Sequence, residues 1–335
     1  MKTLAVILPT YNSAIYLNDS IDSVLTQSFT DFDLYILDDS STDGTEEIVA
    51  CYKDSRIVYL KNCENIGISK TLNKGLKIVE NKYKFIARMD ADDWCFSTRF
   101  KQQLDYLVAN PNIQMCGTQG YWLKDMLNLD KSSWTYPTNH SVIKLSLLFT
   151  ACFGHSSVMF RQDFINIVGY YNESVSTCED WELWTRAVHK VELANLPEFL
   201  MKYRIVVNSN HRAQDKKEIH FMERSDVISN HWKTFDIEIP KEKVFQYYYS
   251  SDKIEKETFK KYLIELIEVF NALYIKEIAS LNSIWKKNFQ YKFLRFIKGF
   301  WKRSGVSRTD LSIWVILFTK VKFAGKFKTL KSLYR

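Results

Sequence analysis

The chain has 335 residues, 46% of them hydrophobic and 25% charged, with few Gly and Pro (10 and 5), so it is long enough for one large α/β domain with an appendage and too poor in linker residues for a flexible string of modules. Its net charge of +7 is unevenly held: residues 286–335 carry 14 Lys/Arg against the one acid Asp310, a net +13, which leaves −6 on the body of the chain. Six scattered cysteines with no CxxC pair exclude a zinc ribbon or a thioredoxin-like redox motif and read as reduced thiols.

The first hundred residues alternate between two kinds of segment. LAVILP (4–9) is an apolar run, too short and without the cleavage signal for a secretory leader, and reads as a buried strand. SAIYLNDSIDSVLTQ (13–27) has helical spacing, DLYILD (33–38) is a second strand, and SSTDGT is turn and cap chemistry before the helix EEIVACYK. RIVYLK (56–61), SKTLNKGLKIVE (69–80) and YKFIARM (83–89) continue as strand, helix, strand, and another helix runs from Phe100 to about Asn110. Strand–helix alternation with apolar strands predicts a mostly parallel sheet covered on both faces, with ligands beyond the carboxyl ends of the strands. Those ends read Pro9-Thr10-Tyr11-Asn12, Asp38-Asp39-Ser40, Asn62 to Gly67, and Asp90 to Asp93, all polar or carboxylate-rich. No GxGxxG accompanies them, so an ordinary dinucleotide site is not indicated. Residues 113–215 look mixed, with a helix near 180–190, and from about Ser225 the texture turns to aromatic, Lys-rich helices. We place the catalytic domain at 1–215 and the helical, basic, aromatic region at 216–335.

RMDADDW (88–94) sets three carboxylates within four residues. Such a cluster is held by water, by a basic neighbour such as Arg88, or by a hard cation of the Mg²⁺ or Mn²⁺ kind that also holds a substrate's phosphates. LDDSSTDGT (37–45) offers Asp38 and Asp39 as acceptors for a base or a ribose, or as caps. CEDWELW (178–184) offers Glu179 and Asp180, either as acids at a helix N-terminus or as a base beside Trp181 and Trp184, where desolvation would raise a carboxyl's pKa.

In this order PTYN (9–12), DDSSTDGT (38–45), ENIGISKTLNKG (64–75), RMDADD (88–93), GHSSVMFR (154–161) and CEDWELWTR (178–186) resemble the family 2 glycosyltransferases, over residues 3–210. The resemblance implies a GT-A nucleotide-sugar-binding fold and an inverting transfer from a nucleotide-diphosphate sugar, most readily UDP-linked, with Mg²⁺ or Mn²⁺. It implies a nucleobase and ribose pocket at Thr10, Tyr11 and Asp39, and a donor loop at Asn65, Gly67 and Lys70, with Lys70 near the diphosphate. Asp90 and Asp92 would be the DxD pair, Asp92 on the metal and Asp90 near the ribose or a metal-bound water. Asp180 would be the catalytic base, and His155 and Arg161 would lie near donor sugar and acceptor. Where the family often has a metal-completing His after Tyr-Arg, Tyr203-Arg204 is followed by Ile205-Val206-Val207-Asn208, so the third ligand would be His211 or water. A metal-dependent nucleotidyl or phosphoryl transferase and a non-catalytic sugar-nucleotide binder are the alternatives.

The tail segments YKFLRFIKGFWKR (291–303) and FTKVKFAGKFKTLK (318–331) mix aromatics with Lys, the composition of a helix lying in a membrane interface or of a helical subdomain with a basic face. No window approaches the roughly 20 apolar residues that span a bilayer. The expectation is a protein at the cytoplasmic face of the membrane, acting on a saccharide or polyprenyl-linked acceptor, without nucleic acid; the aromatic helices could also serve a homodimer.

Overall fold

The computed structural model describes residues 2–125, 128–205, 217–250, 253–278, 283–307 and 309–321. The chain divides into two compact units, Met1–Glu223 and Arg224–Arg335.

The first unit is built on one mixed sheet of nine strands: β1 (Leu4–Thr10), β2 (Phe32–Asp38), β3 (Ile57–Lys61), β4 (Phe85–Arg88), β5 (Trp94–Cys95), β6 (Ile113–Asp125), β7 (Asn128–Trp134), β8 (Met159–Arg161) and β9 (Glu192–Arg204). The order is β3-β2-β1-β4-β8-β6-β9-β5, with β7 paired to β6. The first four strands in sequence are parallel, and β8 runs against both β4 and β6. Every residue of β1 is buried, as expected for a central strand covered on two faces. The helices α1 (Ala14–Leu25), α2 (Thr45–Cys51), α3 (Ile68–Val79), α4 (Arg99–Ala109), α5 (His140–Ser146), α6 (Asp163–Val168) and α7 (Glu179–Ala187) flank it. The α/β architecture and the strand and helix assignments of the first hundred residues hold.

Helix α3 packs unusually close to the sheet. A Cβ on Gly75 would lie 2.3 Å from Leu37 Cδ1 and 3.3 Å from Ile7 Cγ2, so any larger residue would have to displace the Leu37 side chain. That approach fixes the N-terminus of α3 beside the carboxyl ends of β1 and β2. At that terminus Gly67 has φ +88°, a conformation open to glycine and strained for other residues. β1, β2, β3 and β4 all end on the same edge, at Thr10, Asp38, Lys61 and Arg88.

From the start of α8 (Lys217–Lys233) the chain is helical, continuing through α9 (Lys241–Tyr248), α10 (Lys256–Leu273) with a π-helical turn at Tyr274–Ile278, α11 (Ser283–Ser304) and α12 (Leu311–Lys320). The core of the second unit is aromatic: Phe270 lies 4.2 Å from Phe293 and Phe259 stacks on Phe300 at 5.0 Å between ring centres. Phe293, Leu294, Ile297, Phe300 and Trp301 of α11 are all buried there. The membrane-lying helix expected for 291–303 is therefore corrected, because its apolar face is already covered inside the unit. Exposed positions along α11 and α12 include the cations Arg295, Lys302 and Lys320 together with the aromatic Tyr291. Most of the second tail segment, 322–331, lies outside the described residues. No helix among the described residues is long and apolar enough to cross a membrane.

Candidate active site

The β1 and β2 ends build the first wall. Thr10 is buried, its carbonyl accepts from Asp39 N–H at 2.9 Å, and its hydroxyl has no protein partner. Tyr11, next to it, is 48% exposed. Asp39 is buried and already engaged: it accepts from Asn62 Nδ2 (2.8 Å), Ile66 N–H (2.9 Å) and Gly67 N–H (2.8 Å). Its first role is thus to fix the 62–67 loop at the head of α3, and a carboxylate has about four acceptor positions, so room for one ligand bond remains. Asn65 and Lys70 are exposed on that loop and the first turn of α3. A helix N-terminus with a nearby Lys is suited to an anionic diphosphate.

The acidic turn after β4 resolves into three different carboxyls. Asp90 is paired with the buried Arg88 guanidinium and hydrogen-bonded to Ser156 Oγ, and its pKa is lowered, chiefly by Arg88 and His155 against the cost of burial. Asp93 is fully buried. It contacts the same Ser156 hydroxyl and accepts from Arg204 N–H at 2.9 Å, and burial with Asp92 and Asp90 close by lifts its pKa well above the ordinary range. One hydroxyl has one proton to give. If Ser156 donates to Asp90, the second contact requires the proton of a neutral Asp93. Asp92 stands apart: among the described residues no side chain hydrogen-bonds its carboxylate. Its pKa is pushed up to about 6 by burial and by Asp90. Arg204 holds the turn from outside, donating through Nε to Asp92 O (2.8 Å) and pairing with Asp19 (2.8 Å).

The far wall is α7, whose first turn carries Glu179 and Asp180. Asp180 is half-buried and accepts from Trp181 N–H at 2.6 Å. Trp181 and Trp184 turn into the core instead, and it is Glu179 that burial, followed by the Asp180 charge, pushes up to about 8. A desolvated carboxyl thus stands at Glu179, one position before Asp180. His155 is half-buried between the two walls, with Nε2 2.8 Å from Tyr171 Oη and Nδ1 3.6 Å from Glu179. Burial and Arg88 keep its pKa well below the usual value, so at neutral pH a neutral imidazole faces a protonated Glu179 and no ion pair forms.

Arg161 is a correction. It ends β8, which runs antiparallel to β4 and carries it to the opposite edge, opposite Phe85. Its guanidinium donates to the carbonyls of Ile113 (3.0 Å) and Leu107 (2.5 Å), a structural tie at the end of α4. His211 lies outside the described residues. Among the described residues no three His, Cys, Asp or Glu side chains converge as a metal cage. Ser156, Asn62 and the structural role of Arg204 were not legible in sequence, since each acts through a contact many residues away.

The glycosyl transferase family 2 model matches residues 5–168. The O-antigen biosynthesis glycosyltransferase WbnJ of Escherichia coli is 31% identical over 224 residues, covering 61% of this chain and 80% of that protein. The chain belongs to glycosyl transferase family 2. This glycosyltransferase is also 29% identical over 237 residues to a glycosyltransferase of Methanocaldococcus jannaschii, covering 69% of one and 79% of the other. Its fold is like that of S. aureus TarS residues 1–349 in complex with UDP-GlcNAc (TM-score 0.58, 17% identity, 90% of each chain). It is also like that of the mannosyltransferase PcManGT of Pyrobaculum calidifontis in complex with GDP-Man and Mn²⁺ (0.53, 15% identity, 90% and 88%). The glycosyltransferase thus uses a nucleotide-sugar donor on a GT-A-like sheet, and membership sets aside the phosphoryl-transferase alternative.

Proposed function

We propose that this enzyme transfers a sugar with inversion from a UDP-linked donor to an acceptor hydroxyl. The observation that carries the reading is the division of labour among the carboxyls. In the acidic turn Asp90 and Asp93 are committed to side-chain and backbone partners, and among the described residues no side chain hydrogen-bonds the Asp92 carboxylate, while Asp180 sits half-buried on the first turn of α7. The base would lie against Tyr11 with Thr10 and Asp39 behind it, and the diphosphate at Lys70 and the N-terminus of α3. A Mg²⁺ or Mn²⁺ ion fits Asp92: a single carboxylate without a protein partner suits a cation that takes one or two protein oxygens and completes its shell with substrate phosphates and water. When bound, the ion supplies charge neutralisation for the departing nucleoside diphosphate. The remaining work belongs to side chains. Lys70 adds positive charge at the leaving group. Asp180 takes the proton of the acceptor hydroxyl as its oxygen attacks the sugar C1 and the C1–O bond to the diphosphate breaks. An α-linked donor then gives a β-linked product. His155, neutral and held by Tyr171, lines the wall between the two without carrying charge.

The acceptor we favour is a polyprenyl-linked saccharide in surface polysaccharide assembly, in keeping with the O-antigen biosynthesis role of the Escherichia coli relative. The outward cations of the helical region would then hold the enzyme at the anionic inner face of the cytoplasmic membrane by charge, without insertion. Asp180→Asn tests the core of the reading. Turnover of the accepted donor should fall by about 10²- to 10⁴-fold, the range for loss of a general base, with donor affinity within about threefold of wild type. A variant that keeps more than a tenth of its turnover would remove Asp180 from that role.

A further inference from the structure

We propose that Glu223, on the seventh residue of α8, is a positioning residue that clamps the loop leading into α7 and so sets where Asp180 stands; this rests on the glycosyl-transfer reading above. The Glu223 carboxylate accepts from Ser176 N–H (2.9 Å), Ser176 Oγ (2.8 Å), Thr177 N–H (2.9 Å) and Thr177 Oγ1 (2.6 Å). Four bonds fill the acceptor capacity of one carboxylate, and they lower its pKa against the cost of burial. His220, one helical turn earlier, adds a contact from Nδ1 to Thr177 Oγ1 at 3.0 Å. The clamp closes one residue before Cys178, the residue that caps α7 without a side-chain hydrogen bond. Asp180 follows two residues later.

The loop needs such a clamp. Asn172, Glu173, Ser174 and Ser176 are exposed, so little apolar burial fixes them. Its other flank is tied to α3: Asn73 Nδ2 donates to Tyr171 O (3.0 Å) and Glu173 Oε1 (2.9 Å), Asn73 Oδ1 accepts from Tyr171 N–H (2.9 Å), and Ser69 Oγ donates to Val175 O (3.0 Å). Ser69 adjoins Lys70. The loop is therefore stitched to the helix that meets the donor on one side and to α8 on the other, and the base is placed by both.

The test is Glu223→Gln, which keeps the size but turns one acceptor oxygen into a donor facing N–H and O–H groups, with Glu223→Asp as the shortened, charge-retaining control. Hydrogen exchange should show protection lost across residues 174–182 and kept in β1, β2 and β4. Turnover should fall tenfold or more at unchanged donor KM, and Glu223→Asp should fall between the variant and wild type. Unchanged protection across 174–182, or unchanged turnover despite its loss, overturns the proposal, as does a uniform loss of protection across the unit. If wild-type enzyme turns over no donor, the glycosyl-transfer reading fails, while the exchange pattern still decides the clamp.

Discussion

Asp93 shows how one turn can hold three carboxyls. Its pKa is raised by burial and by its two neighbours, and the single Ser156 hydroxyl it shares with Asp90 calls for a proton on Asp93 where it bridges Ser156 to the backbone N–H of Arg204. Asn can reproduce both contacts, because its amide has a donor and an acceptor. Asp93→Asn should therefore shift the unfolding midpoint by less than about 1 kcal/mol in denaturant titration. Asp93→Ala leaves a buried N–H unpaired and should cost about 1–3 kcal/mol; equal losses in the two variants would contradict a neutral Asp93. Glu179 makes a claim about pH. Its folded pKa, about 8, lies above that of a carboxyl in the unfolded chain, so the folded state binds the extra proton between the two values. Stability from this group is full at low pH and is lost as pH rises from about 5 through 8. Glu179→Gln should flatten that decline in thermal unfolding measured across the window, and an unchanged slope would assign it elsewhere. Sequence gave the carboxyl cluster but not its internal roles. Which of Asp90, Asp92 and Asp93 is left over depends on Arg88, Ser156 and Arg204, and the last two reach the turn from a 3-10 turn and a strand end far along the chain. The burial of Glu179 on α7 was hidden for the same reason: a helix turns about 100° per residue, and the pattern CEDWELW does not say which acid faces in.

Among the elements, the strand ends were legible because apolar runs stop at polar residues, and parallel connection puts those stops on one edge. Arg161 was misread because the antiparallel turn of β8 could not be seen in its motif, and reversal of one short strand moves a residue to the opposite edge. α11 was misread for a related reason. An amphipathic helix shows its apolar face in sequence but not what covers it. Since Phe293, Ile297 and Phe300 fill the core of the second unit against Phe270 and Phe259, removing residues 283–335 should abolish that unit's cooperative unfolding, as losing even one such aromatic costs about 3–5 kcal/mol. Charge is the separable part. Arg295→Gln, Lys302→Gln and Lys320→Gln together should keep the fold and reduce binding to vesicles containing anionic lipid, each cation near the surface contributing about 1 kcal/mol. Binding that is indifferent to these changes and to salt would contradict attachment by charge.

At the scale of the molecule, the first unit brings the polar ends of β1 and β2 and an acidic turn to one sheet edge, with the first turn of α7 joined to them through His155 and Glu179. The second closes its own aromatic core and leaves a basic exterior. Everything proposed for the chemistry depends on Asp92 being the carboxylate left for a cation and a diphosphate. The direct measurement is calorimetric titration of UDP, GDP, TDP and CDP into wild type and Asp92→Asn, with Mn²⁺ and with EDTA. The account predicts that wild type binds UDP in preference and only with metal, and that Asp92→Asn loses the metal-dependent part. Metal-independent binding of equal strength in both proteins, or no binding of any nucleotide, would contradict it.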